Sequence, residues 1–132
     1  MLHMTNSQDF SYFVHKLQAR TQTLRSEIRD TLLRAGNEQY ARLAGEVHDA
    51  EEESLADLLV DVNLAEITRD VQEVRDIEAA LDRISTGKFG VCVTCEEPIA
   101  RARLEVYPTA KRCLACQQQH DQARAAKAPP SL

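Results

Sequence analysis

Residues 91–98 read Val91-Cys92-Val93-Thr94-Cys95-Glu96-Glu97-Pro98, and residues 111–116 read Lys111-Arg112-Cys113-Leu114-Ala115-Cys116. These hold the only four cysteines of the 132-residue chain, spaced C-x2-C-x17-C-x2-C. Two cysteines separated by two residues share one tight turn, so both sulfurs face the same point, and two such turns complete a tetrahedron. The pattern predicts one structural Zn2+ held by Cys92, Cys95, Cys113 and Cys116 as thiolates, with the cation itself driving their ionisation. Four thiolates fill the coordination sphere, which leaves no open position for catalysis. A thioredoxin-like centre would need one C-x-x-C after a strand in an α/β pattern, and no strand pattern is present. The flanks agree with a metal-tied loop. Gly87 and Gly90 loosen the entry, Pro98 and Pro108 stiffen the long connection, and Lys111 and Arg112 offset the negative charge of the sulfurs. Gln117 to His120 reads as the opening of a short C-terminal helix.

Working toward the N-terminus, the pattern is helical. Phe10, Val14, Leu17, Thr21, Leu24, Ile28 and Thr31 alternate in steps of four and three, the seam of a helix packed on another helix. Gly36-Asn37 offers the left-handed residues that end it. From Asp49 to Ser85, Val60, Leu64, Ile67, Val71, Val74 and Leu81 keep the same spacing, and Gly87 follows. Read as one helix, this stretch would extend about 55 Å and must pair with the first helix. A short connection between the two forces them antiparallel. The expected fold is mainly α: an antiparallel helical hairpin, or coiled coil, over residues 6–86 with its tip near 37–52. A four-cysteine zinc finger and short C-terminal helix follow over 87–122, with a frayed tail over 123–132.

Composition supports long helices over a thick core. Aromatics are 5% of residues, tryptophan is absent, and there are four Gly and four Pro. Residues 1–85 carry 9 Lys/Arg against 17 Asp/Glu, whereas residues 86–132 carry 7 against 4. So acidic a chain is not expected to hold nucleic acid by neutralising phosphates. Met1 to Ser7 lacks the basic-then-apolar order of a secretory signal, and no apolar run is long enough to span a membrane. A cytoplasmic, reducing location is expected, in which the cysteines stay free of disulfides. No nucleophile–base pair and no glycine-rich phosphate loop is present, so an enzyme is not expected.

The stretch Lys88-Phe89-Gly90-Val91-Cys92-Val93-Thr94-Cys95, with Pro98-Ile99-Ala100, Arg103-Leu104-Glu105, Pro108-Thr109-Ala110 and Arg112-Cys113-Leu114-Ala115-Cys116, resembles the zinc finger of the DksA/TraR family. The helical hairpin ahead of it is similar to that family's coiled coil. The resemblance covers roughly residues 10–122. It implies a regulator that binds bacterial RNA polymerase through its secondary channel without touching DNA, its acidic coiled-coil tip directed at the active centre. The family's tip pattern, Asp-x-x-Asp-x-Ala, falls on Asp49-Ala50-Glu51-Glu52-Glu53-Ser54. Asp49 is kept, Glu52 replaces the second acid, and Ser54 replaces the alanine. Members that respond to guanosine tetraphosphate offer Lys or Arg where this chain has Asp76, Tyr107 and Gln117, so no synergy with that alarmone is expected.

Other readings of the same residues stand beside these. Asp49 followed by Glu52 is also a helix N-cap with its capping-box partner, and acids in a first helical turn are favoured by the dipole whatever the function. His48 and His120 read as exposed residues before they read as a tip modulator or a spare ligand. At the level of function, the alternative is a zinc-stabilised coiled-coil adaptor without polymerase activity. A DNA-binding finger is disfavoured by charge.

Overall fold

The computed structural model describes residues 7–50 and 54–127. The fold is mainly helical, with α1 (Ser7–Arg34), α2 (Glu38–Asp49), α3 (Leu55–Leu58), α4 (Ala65–Ser85), α5 (Arg101–Val106) and α6 (Leu114–Lys127). Among the described residues the only β feature is a single antiparallel bridge between Val91 and Pro98.

α1 extends about 42 Å. It ends where Gly36 takes φ of +80°, a conformation that costs glycine nothing. Asn37 then caps α2, its side-chain oxygen accepting from the Tyr40 amide at 2.7 Å. The seam expected on α1 is present and is wider than a two-helix seam. Leu17, Leu24 and Ile28 are fully buried and so are Phe13 and Leu32, with Phe10 packed against them. Two partners press on α1 and together use more of its circumference. One is α2, which turns back and buries Ala44 and Val47. The other is α4, which buries Ile67, Val74, Ile77 and Ala80. Arg20 and Glu73 join α1 to α4 through two contacts of 2.6 and 2.9 Å, and Arg34 lies 4.0 Å from Glu66 at the far end. These exposed pairs fix the antiparallel register more than they stabilise it, since such pairs contribute about 0–1 kcal/mol.

The expectation of one helix from Asp49 to Ser85 does not hold. Asp49 is the last residue of α2, α3 is a single turn, and the long helix begins at Ala65. The break falls on Val60-Asp61-Val62-Asn63, four consecutive residues with weak helix preference. Val60, which a straight helix would place on the seam, is 65% exposed. What the chain gains is complete burial of Leu55, Ala56 and Leu59, worth about 1.5–3 kcal/mol for each large side chain. The antiparallel hairpin is therefore α1 with α4. Its connection is not a turn near 37–52 but residues 35–64, folded back as α2 and α3. At the other end, α6 runs to Lys127, so residues 123–127 expected to fray are helical. Ala123, Ala125 and Ala126 are the strongest helix formers and carry it on. The remaining tail lies outside the described residues.

The cysteine-bearing segment packs at the opposite end of the hairpin from Arg34 and Glu66. Phe89 is buried against Phe10 and Phe13, with ring centroids 5.8 and 5.2 Å away. Ile99 and Leu104 are buried with them. The Lys16 ammonium donates to the Glu105 carbonyl at 2.8 Å, and the Arg83 guanidinium to the Thr109 carbonyl at 3.3 Å. The finger is thus anchored to both long helices. No helix among the described residues is long and apolar enough to cross a membrane.

Candidate metal centre and acidic tip

Each knuckle is built by its own backbone. In the first, the Cys92 amide donates to the Glu97 carbonyl and the Glu96 amide to the Cys92 carbonyl, both at 2.9 Å. In the second, the Gln117 amide donates to the Cys113 carbonyl at 2.9 Å, so α6 grows directly out of the knuckle. The two are tied by the Val93 amide on the Lys111 carbonyl, also at 2.9 Å. The result brings the sulfurs of Cys92, Cys95, Cys113 and Cys116 within 4.8 Å of one another. Cys95 and Cys113 Sγ are 3.9 Å apart, against about 3.8 Å for the edge of a tetrahedron with metal–sulfur bonds of ~2.3 Å.

The electrostatics of the cluster call for a cation. Burial pushes the Cys92 thiol up, but the backbone N–H groups of Cys95, Cys113 and Thr94 outweigh it and hold it at about 6. The neighbouring Cys113 sulfur and burial push Cys116 up to about 12. A second thiolate this near the first is repelled, and a divalent ion supplies the charge that lets all four ionise. The donor set, spacing and charge fit a structural zinc. His120 is not one of the four clustered groups and lines a neighbouring cavity instead.

One residue of the first knuckle is strained. Glu96 has φ of +65°, a left-handed conformation that costs a residue with a Cβ roughly 1–2 kcal/mol. Glycine removes that cost but gains about 0.4–1 kcal/mol of unfolded-chain freedom. Glu96→Gly is therefore expected to stabilise the zinc-loaded protein by up to about 1 kcal/mol. Thermal unfolding of the two proteins side by side checks this, and a destabilised glycine variant would contradict it.

Asp49 is exposed on the last turn of α2, so the capping-box reading of Asp49 and Glu52 does not describe it. A carboxylate there faces the negative end of the helix dipole, an arrangement unfavourable by about 0.3–1 kcal/mol. Glu52 lies outside the described residues. Two residues that sequence reasoning passed over hold this end of α2. Arg25 Nη1 donates to the carbonyls of Val47 and Ala50, each at 2.7 Å, and Arg29 Nη1 is 3.0 Å from Nδ1 of His48. The available signal was an Arg pair at i, i+4, each next to a seam position, Leu24 and Ile28.

Asp76, Tyr107 and Gln117, separate in sequence, come together on the wall of one cavity of about 600 Å³. Cationic side chains do reach this wall, but from Arg103, Lys111, Arg112 and Arg124. Of these, Arg103 donates to the Arg112 carbonyl at 3.1 Å and Arg112 to the Thr94 hydroxyl at 3.3 Å.

Residues 87–122 match the family model of the prokaryotic dksA/traR C4-type zinc finger, and this segment contains all four cysteines. Over 118 residues the chain is 30% identical to the RNA polymerase-binding transcription factor DksA of Caulobacter vibrioides, spanning 88% of this chain and 78% of that protein. Over 48 residues it is 42% identical to the protein of the same name from Haemophilus influenzae, covering 36% of this chain and 33% of that one. A solved structure of transcription factor DksA2 from Pseudomonas aeruginosa is 28% identical, covers 78% of this chain and 87% of its own, and has a TM-score of 0.45. One structural Zn2+ is the cofactor that both the sulfur cluster and the family model require.

Proposed function

The chain belongs to the DksA/TraR family, and on that premise we propose that it regulates transcription by binding RNA polymerase, with no catalytic activity of its own. The observation that carries this reading is the 30% identity along 118 residues to a protein named for polymerase binding. In the finer form, Cys92, Cys95, Cys113 and Cys116 ligate the zinc, which makes the finger a rigid base for the paired helices. The helical part enters the secondary channel and directs Asp49 and Glu52 toward the active centre. DNA is not contacted. The excess of acidic over basic residues in the helical part supports this, since it would repel a phosphate backbone. Asp49 is kept at a helix end that disfavours it, which supports a role beyond helix capping. The three non-basic residues Asp76, Tyr107 and Gln117 support independence from guanosine tetraphosphate. The protein acts in the cytoplasm, where polymerase is.

A second reading has one observation in its favour. α2 folds back along α1, so Asp49 stands beside the Arg25 contacts and not at the Arg34–Glu66 end of the hairpin. That retracted position suits a zinc-stabilised coiled-coil adaptor without polymerase activity.

In vitro transcription with purified bacterial polymerase separates the two. The regulator reading expects the protein to bind core polymerase and change the yield of initiation, with no further change on adding guanosine tetraphosphate. The double substitution Asp49→Asn, Glu52→Gln is expected to abolish the effect on initiation and leave binding intact. Absence of any polymerase binding would leave the adaptor. Retention on duplex DNA with a steep salt dependence would sink both.

A further inference from the structure

We propose that Arg25, assisted by Arg29, is a positioning residue that sets where Asp49 is presented; the proposal deepens the polymerase-regulator reading and rests on it. α2 has only 12 residues, a length at which an isolated helix frays in water. Its last carbonyls have no partner within the helix. A single nitrogen of Arg25 takes two carbonyls that bracket Asp49, Val47 O and Ala50 O, at 2.7 Å each. The guanidinium also places positive charge at the negative end of the helix, where Asp49 adds to the negative charge. One turn further along α1, Arg29 reaches Nδ1 of His48 at 3.0 Å. A guanidinium can only donate, so the imidazole nitrogen is the acceptor.

Val47, His48 and Ala50, on either side of Asp49, are thus gripped from one face of α1. The chain is pinned again where its described course resumes. There the Ser54 hydroxyl donates to the Glu78 carboxylate, 2.9 and 3.1 Å from its two oxygens, and accepts from the Asp57 amide at 3.2 Å. Asp49 itself remains exposed. Its backbone is fixed on both sides while its side chain is exposed to solvent, which is the arrangement a presented acid needs. Arg25 touches no partner in this scheme and acts only through Asp49.

The test uses the full-length, zinc-loaded chain with Arg25→Ala and Arg25→Lys. Lysine keeps the charge but lacks the planar fork that holds two acceptors in fixed geometry. Polymerase affinity is expected to be unchanged in both. The effect on initiation should fall about tenfold in Arg25→Ala, the factor one charge-assisted hydrogen bond is worth, and less in Arg25→Lys. Hydrogen exchange at the Ala50 amide, which donates to Glu46 O at 2.9 Å, should speed up by a similar factor. Full retention of the transcription effect in Arg25→Ala overturns the proposal. So does a loss of affinity and effect by the same factor, which would mark Arg25 as structural only. If the unmodified protein neither binds nor affects polymerase, the functional reading fails by itself. In that case the Ala50 exchange rate still decides the clamp, and an unchanged rate in Arg25→Ala overturns it.

Discussion

Replacing Cys113 by serine is expected to reduce zinc from one ion per chain to a small fraction and to unfold the base of the hairpin. Structural zinc contributes on the order of 10 kcal/mol to small domains, which is comparable to the whole stability of a domain this size. The finger has little else to hold it. Among its described residues, Phe89, Cys92, Ile99 and Leu104 are the buried ones, and α6 buries none. The knuckle amides of Cys92, Val93 and Gln117 all donate to carbonyls within residues 97–113. They should lose their exchange protection together when the metal is removed. A strong chelator applied to the native protein should reproduce the effect. α1 and α4 keep their own apolar contacts, so much of the helical signal should survive. Elemental analysis and amide exchange measure the two halves of the expectation. A metal-free protein with the same protection pattern would falsify the zinc-tied base.

The second large effect is expected at the aromatic joint. Phe89 is 5% exposed and sits against Phe10 and Phe13. Truncating such a residue costs about 3–5 kcal/mol through lost transfer energy and the cavity left behind, part of it from the ring–ring geometry. Phe89→Ala should therefore lower Tm by roughly 10–20 °C for a chain of this length. Its signature differs from that of Cys113→Ser. The four sulfurs are untouched, so one zinc per chain should remain while the finger loses its fixed seat on α1. Loss of protection at Leu104, with the knuckle amides still protected, would report this uncoupling. If zinc were lost in step with stability, joint and metal centre would be one cooperative unit and the distinction would fail.

Sequence reading recovered the features set by short-range chemistry. Cys92, Cys95, Cys113 and Cys116 declare a four-sulfur cluster because a two-residue spacing allows little besides a knuckle, and the folded chain brings the four together. The stripe on α1 was legible at Leu17, Leu24 and Ile28 because α1 keeps one helical period along its length. The stop at Gly36-Asn37 was legible because a left-handed glycine and an Asn cap are local signals.

Tertiary packing decided the rest. Residues 54–64 carry apolar residues that satisfy a continuous helix on paper, yet Leu55, Ala56 and Leu59 are buried in a separate turn and Val60 faces solvent. Helical periodicity states which residues share a face but not which neighbour that face will meet. Here weak propensity at Val60 to Asn63 leaves the choice to burial against α2 and α4. The same limit hid the role of Arg25. Its partners, the carbonyls of Val47 and Ala50, become acceptors only because α2 ends there and lies against α1. The four-sulfur cluster was therefore legible from spacing alone, whereas the position of Asp49 depended on where a helix breaks, a competition that only the assembled core resolves.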